Sequence, residues 1–113
     1  MQIGETLLAL TPADFRRWLE ANHQTKKEIW LVIYKKASGQ AGISYDESID
    51  EALCFGWIDG IMKSMDTEKY AQRFSPRRKG GNWTEANRAK ARRLIASGRM
   101  TAAGRAALPS DFE

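Results

Sequence analysis

Residues Ile29 to Tyr34 form an unbroken apolar run, Ile-Trp-Leu-Val-Ile-Tyr, bracketed by Glu28 and Lys35-Lys36. The run is far too short to span a bilayer as a helix, its length suits a strand, and Glu28 to Lys36 reads as that strand. Strand side chains alternate between faces. Ile29, Leu31 and Ile33 therefore share one face, and Trp30, Val32 and Tyr34 share the other. A strand apolar on both sides is expected to be covered on both, or nearly so, and to lie centrally in its sheet. A chain of 113 residues has material for one such core. The expected fold class is α+β. A small mixed or antiparallel sheet, including a β-hairpin, is packed by three to four helices in one domain over residues 1–113.

The flanking segments supply the helices. Thr11-Pro12-Ala13-Asp14 is a helix start, with Thr11 as cap, Pro12 at the first helical position and Asp14 complementing the dipole. Phe15, Trp18 and Leu19 then give that helix an apolar face, and it is expected to end near Asn22. Ser44-Tyr45-Asp46-Glu47 reads as a capping box. The helix it opens runs to about Phe55, with Gly56 as its stop. Asp46, Glu47, Asp50 and Glu51 are expected on its acidic outer face, and Ile49, Ala52 and Leu53 on its inner one. A third helix, capped by Asn82 or Thr84, runs to Ser97 with Gly98 as stop. Asn87, Ala91, Leu94 and Ile95 face inward. A short helix is expected over 101–108.

Trp57 to Ser64 and Lys69 to Ser75 read as the two arms of a hairpin around Met65-Asp66-Thr67-Glu68. That centring puts Trp57 roughly opposite Pro76 and Asp59 near Phe74. Two unusual segments, residues 54–60 and residues 75–83, then meet at the open end of the hairpin. Each combines a tryptophan with glycines and polar groups, a mixture better suited to a site than to a generic core.

Arg77-Arg78-Lys79-Gly80-Gly81 leads into a helix N-terminus, where unpaired amides, the dipole and forked arginine donors favour an anion. It is neither a Walker A loop nor a dinucleotide fingerprint. The bland alternative is an exposed turn. The candidate binding residues are Trp57, Asp59, Arg77, Arg78, Lys79, Asn82, Trp83 and Asn87. Asp59 is expected to form an ion pair with an arginine of the 73–78 segment before it serves as a general base. Cys54 lies at a helix C-terminus, where the dipole opposes a thiolate, and reads as a buried thiol. His23 has no companion ligand, so no metal site is expected. No cofactor motif is present.

Charge is segregated along the chain. Residues 1–72 hold eight basic and eleven acidic side chains, whereas residues 73–105 hold ten basic and one acidic. Such a block is either a solvated face or a surface for an anionic partner. The lone cysteine excludes an internal disulfide framework, and the N-terminus lacks the features of a secretory signal. A cytoplasmic protein without a membrane span is expected.

Several motifs together resemble the YdeI/OmpD-associated, or bacteriocin-protection, family of bacteria. They are Trp30-Leu31-Val32-Ile33-Tyr34-Lys35-Lys36, Ser44-Tyr45-Asp46-Glu47, Ala52 to Gly60, Phe74 to Lys79, Asn82-Trp83-Thr84, Asn87 and Gly98-Arg99-Met100-Thr101. The resemblance spans about residues 10–105 and implies a role in protection against bacteriocins or cationic peptides. It implies no particular reaction. Longer members of that family carry a further helical C-terminal region, which is not expected in this chain. The functional expectation is a binding module for an anionic small molecule or phosphate group. The alternatives are a nucleic-acid-binding domain, an enzyme acting on a phosphorylated or carboxylated small molecule, and a module with a protein partner. For nucleic acid, only weak and non-specific binding is expected.

Overall fold

The computed structural model describes residues 2–78 and 82–112. The elements are β1 (Thr6–Leu8), α1 (Pro12–Asn22), β2 (Ile29–Tyr34), α2 (Tyr45–Cys54), β3 (Trp57–Ser64), β4 (Lys69–Pro76), α3 (Glu85–Ala96) and α4 (Ala102–Ala106). The strands form one mixed sheet in the order β1-β2-β4-β3, in which β1 runs parallel to β2 and the other pairs are antiparallel. The fold is α+β, with β2 in the interior of the sheet as its two apolar faces require. No helix among the described residues is long and apolar enough to cross a membrane.

Ile29, Leu31 and Ile33 pack into one cluster with Phe15 and Leu19 of α1, Ile49, Ala52 and Leu53 of α2, and Leu94 of α3. The helices thus cover one face of the sheet. Trp30, Val32 and Ala71 lie outside that cluster and are nevertheless buried. Trp30 is directly across from Arg73, whose Nε donates to Glu28 Oε1 at 2.7 Å. On its other flank runs the N-terminal segment, where a Cβ added at Gly4 would meet Glu28 Oε2 and Trp30 Nε1. The second face is therefore closed by an ion pair and a loop rather than by a helical layer.

The helix signals operate as their chemistry suggests. Thr11 Oγ1 accepts from Asp14 N at 3.1 Å. Ser44 and Glu47 form both halves of the capping box. At α3 the cap is Thr84, whose Oγ1 accepts from Asn87 N, so Asn82 lies outside the helix. In the hairpin, Trp57 pairs with Pro76 and Asp59 with Phe74. Between Asp59 and Met62 the register shifts by one residue, as a β-bulge does. The bulge frees carbonyls, and the buried Gln72 satisfies them by donating from Nε2 to Gly60 O at 2.8 Å and Ile61 O at 3.3 Å. Asp66 closes the turn by accepting from Glu68 N, Lys69 N and Lys69 Nζ.

The main departure concerns Glu51. Expected on an exposed acidic face, it is 1% exposed and lies among the core helices. Arg16 Nη1 donates to Glu51 Oε1 at 3.2 Å, and Arg99 Nη2 donates to Oε2. Arg16 also donates to the Arg99 carbonyl at 2.9 Å. A buried carboxylate survives only with partners of this kind. Glu51→Gln keeps the shape and removes the charge. Because the two arginines remain partly in solvent, it is expected to cost about 2–3 kcal/mol, less than a fully buried pair. Urea unfolding measures this. A change under about 0.5 kcal/mol would place the cluster with ordinary surface pairs.

Candidate functional site

The C-terminus of α2 organises the site. Gly56 follows the helix with φ of +74°, a conformation that L side chains rarely adopt. A Cβ at Gly56 would lie 2.9 Å from both Ala103 O and Ala107 Cβ. The Cys54 carbonyl accepts from Thr101 N at 3.1 Å and from Thr101 Oγ1. Gly104 presses against that same carbonyl, leaving no room for a side chain. These contacts seat α4 at the root of the hairpin. On the other side, Gly56 O accepts from Arg77 N at 2.9 Å, which extends the hairpin pairing and fixes where the Arg77 side chain starts.

Two clefts flank that point. The larger, about 960 Å³, lies between Arg77, Arg78, Trp83 and the α4 segment from Ala103 to Asp111. The smaller, about 460 Å³, is lined by four cations, Lys27, Arg73, Arg77 and Arg78, together with Ser75 and Asn82 among others. Arg77, Arg78 and Asn82 belong to both. The Arg77 guanidinium stacks over Trp83, with Cζ 3.9 Å from the ring centroid. Arg77 Nε is buried and has no hydrogen-bond partner among the described residues. Burial lowers the Arg77 pKa, and the Asp59 carboxylate works against that shift.

Of the residues singled out from sequence, Arg77, Arg78, Asn82 and Trp83 come together here. Lys79 lies outside the described residues, as do Gly80 and Gly81 of the same basic loop. Trp57 lines neither cleft. It is buried in the core and meets Trp18 edge-on at 5.7 Å, because its strand face is the one the helices cover. Asn87 is half-buried on α3 and also lines neither cleft.

Asp59 corrects a further expectation. Among the described residues it forms no ion pair with an arginine, since Arg73 is held by Glu28 and Arg77 by Trp83. Its Oδ2 instead accepts from Tyr45 Oη at 2.5 Å. Cys54 is fully buried, and burial pushes its thiol up, away from thiolate chemistry. No group of three or more metal-ligating side chains occurs among the described residues. Sequence reading missed Lys27, Arg73 and Ser75. The signal for two of them was present, because Arg73 and Ser75 alternate on β4, which ends one residue before Arg77.

The Tyr45–Asp59 pair has a measurable signature. Burial first, then the hydrogen bond to Asp59, pushes Tyr45 up from 10.0 to about 12. The folded state therefore holds this proton more tightly than the unfolded chain. Stability from the pair is complete below pH 10 and is lost as pH rises toward about 12. Tyr45→Phe should flatten the fall of the urea midpoint in that window. A residual slope will persist, because burial also raises Tyr70. An identical slope in wild type and variant would show that Tyr45 is not held by Asp59 in solution.

No curated protein and no solved structure matches the chain. A family model described as "Domain of unknown function (DUF8412)" matches residues 7–107. The match runs from within β1 through α4 and so takes in the smaller cleft and much of the larger, whose lining continues to Asp111. The chain belongs to this family, the DUF8412 domain.

Proposed function

We propose that the chain is a binding module for a small anion, a phosphate or carboxylate group, held in the smaller cleft. The observation that carries this reading is the convergence of Lys27, Arg73, Arg77 and Arg78 on one concavity with no carboxylate among its lining residues. Arg73 is committed to Glu28, and Arg77 to Trp83 and the field of Asp59. Lys27 and Arg78 have no ion pair among the described residues and remain available. An anion here replaces repulsion among like charges with charge-assisted hydrogen bonds, to which Ser75 and Asn82 add polar partners. The protective role that the YdeI/OmpD resemblance implies would then run through the bound anion. A basic cleft repels a cationic peptide and is a poor trap for one.

The ion pairs argue against the nucleic-acid alternative. Within residues 73–105, Arg73, Arg88, Arg92, Arg93 and Arg99 each pair with a carboxylate of this chain. Much of the basic block is thereby neutralised internally, which leaves few phosphate contacts for a duplex. The enzyme alternative lacks its base at the anion, since Asp59 is bonded to Tyr45 and lines neither cleft.

Titration with inorganic phosphate, followed by amide NMR, tests the proposal. Localised shifts are expected at Lys27, Ser75, Arg77 and Asn82, and Arg78→Gln should weaken binding by about tenfold, the size of one charge-assisted hydrogen bond. A random-sequence duplex should bind no tighter than about 10⁻⁴ M at physiological salt. Absence of shifts at tens of millimolar phosphate sinks the reading. Duplex binding in the micromolar range would transfer it to nucleic acid.

A further inference from the structure

The larger cleft differs in character from the smaller one. Its lining includes a run of short or apolar side chains, Ala103, Ala106, Ala107, Leu108 and Pro109, together with Trp83. Two of its charges answer each other, since Arg88 Nη2 donates to Asp111 Oδ1 at 3.3 Å. A second anion would therefore gain little there. At about 960 Å³ the cleft is also far larger than a phosphate needs. Its volume and lining suit the apolar body of a small molecule.

The two clefts are not separate. Arg77, Arg78 and Asn82 line both, so the two adjoin along the ridge these residues form. Arg77 lines both clefts, and its guanidinium stacks over Trp83, which lines the larger one.

We infer that the clefts form one bipartite site whose ligand is an organic anion with an apolar, preferably aromatic, body. The phosphate or carboxylate head sits among Lys27, Arg77 and Arg78. The body crosses the ridge and lies between Trp83 and the Ala106–Pro109 wall. This inference rests on the anion-binding reading and adds the ligand's second half. Burial of a ring against Trp83 and the alanines removes apolar surface from water, which inorganic phosphate cannot do.

Calorimetric titration of the full chain with inorganic phosphate and with phenyl phosphate tests the inference. Phenyl phosphate is expected to bind at least about tenfold more tightly, equivalent to about 1.4 kcal/mol. Ala106 is exposed on α4 and lines the larger cleft, so Ala106→Leu fills the apolar half without disturbing the core. That variant should erase the phenyl advantage and leave the phosphate affinity within about twofold. Equal affinities for the two probes in the wild type would overturn the bipartite site and leave the anion site standing. So would a phenyl advantage that survives Ala106→Leu. If neither probe binds, the anion reading fails, and this inference fails with it.

Discussion

A carboxylate with no route to water sits where three elements meet. Glu51 belongs to α2, Arg16 to α1, and Arg99 to the segment that joins α3 to α4. A charge in that position has very few permitted arrangements, because displacing either arginine strands it in a low-dielectric interior. The cluster therefore limits the angles at which α1 and α2 can pack. It also fixes the point at which the chain leaves α3, since Arg16 holds the Arg99 carbonyl as well. Apolar contacts alone would permit more slack, being short-ranged and indifferent to direction.

From that point the site follows by short steps. Two residues beyond Arg99, Thr101 reaches the Cys54 carbonyl at the end of α2 and caps α4 in the same stroke. Gly104 and Gly56 let α4 settle against the hairpin root at a distance no side chain allows. Gly56 then receives Arg77 from the opposite strand. A helix terminus, a hairpin root and a short helix are thus brought together through one carbonyl and two glycines. The basic residues around them come from three places: the approach to β2, the end of β4, and the chain leading into α3.

How much of this could be read from the chain depended on the range of the forces involved. The caps at Thr11 and Ser44 and the hairpin register at Trp57 and Asp59 are local signals, and each operates as its chemistry suggests. The central place of β2 followed from apolarity on both faces. β1 was not legible, because three residues, of which Leu7 alone packs against the core, are too few to carry a periodic pattern. Glu51 was misplaced because an acidic helix face looks solvated until its partners, 35 and 48 residues away, are known. Asp59 was given an arginine for the converse reason. Tyr45, from the start of α2, was the closer partner, and Arg73 was already engaged by Glu28. Trp57 looked like a site residue by its neighbours in sequence, but strand alternation turned it into the core.

α4 spans five residues, Ala102 to Ala106, too few to persist as a helix in water without support. It exists because the Cys54 carbonyl and the glycine contacts hold it. The wall of the larger cleft therefore rests on contacts with the end of α2 rather than on its own helical turns. A molecule seated across the ridge would clasp this wall to the end of β4. Part of its binding free energy would then appear as order in α4, and occupancy would be written into the protection of a single turn of helix.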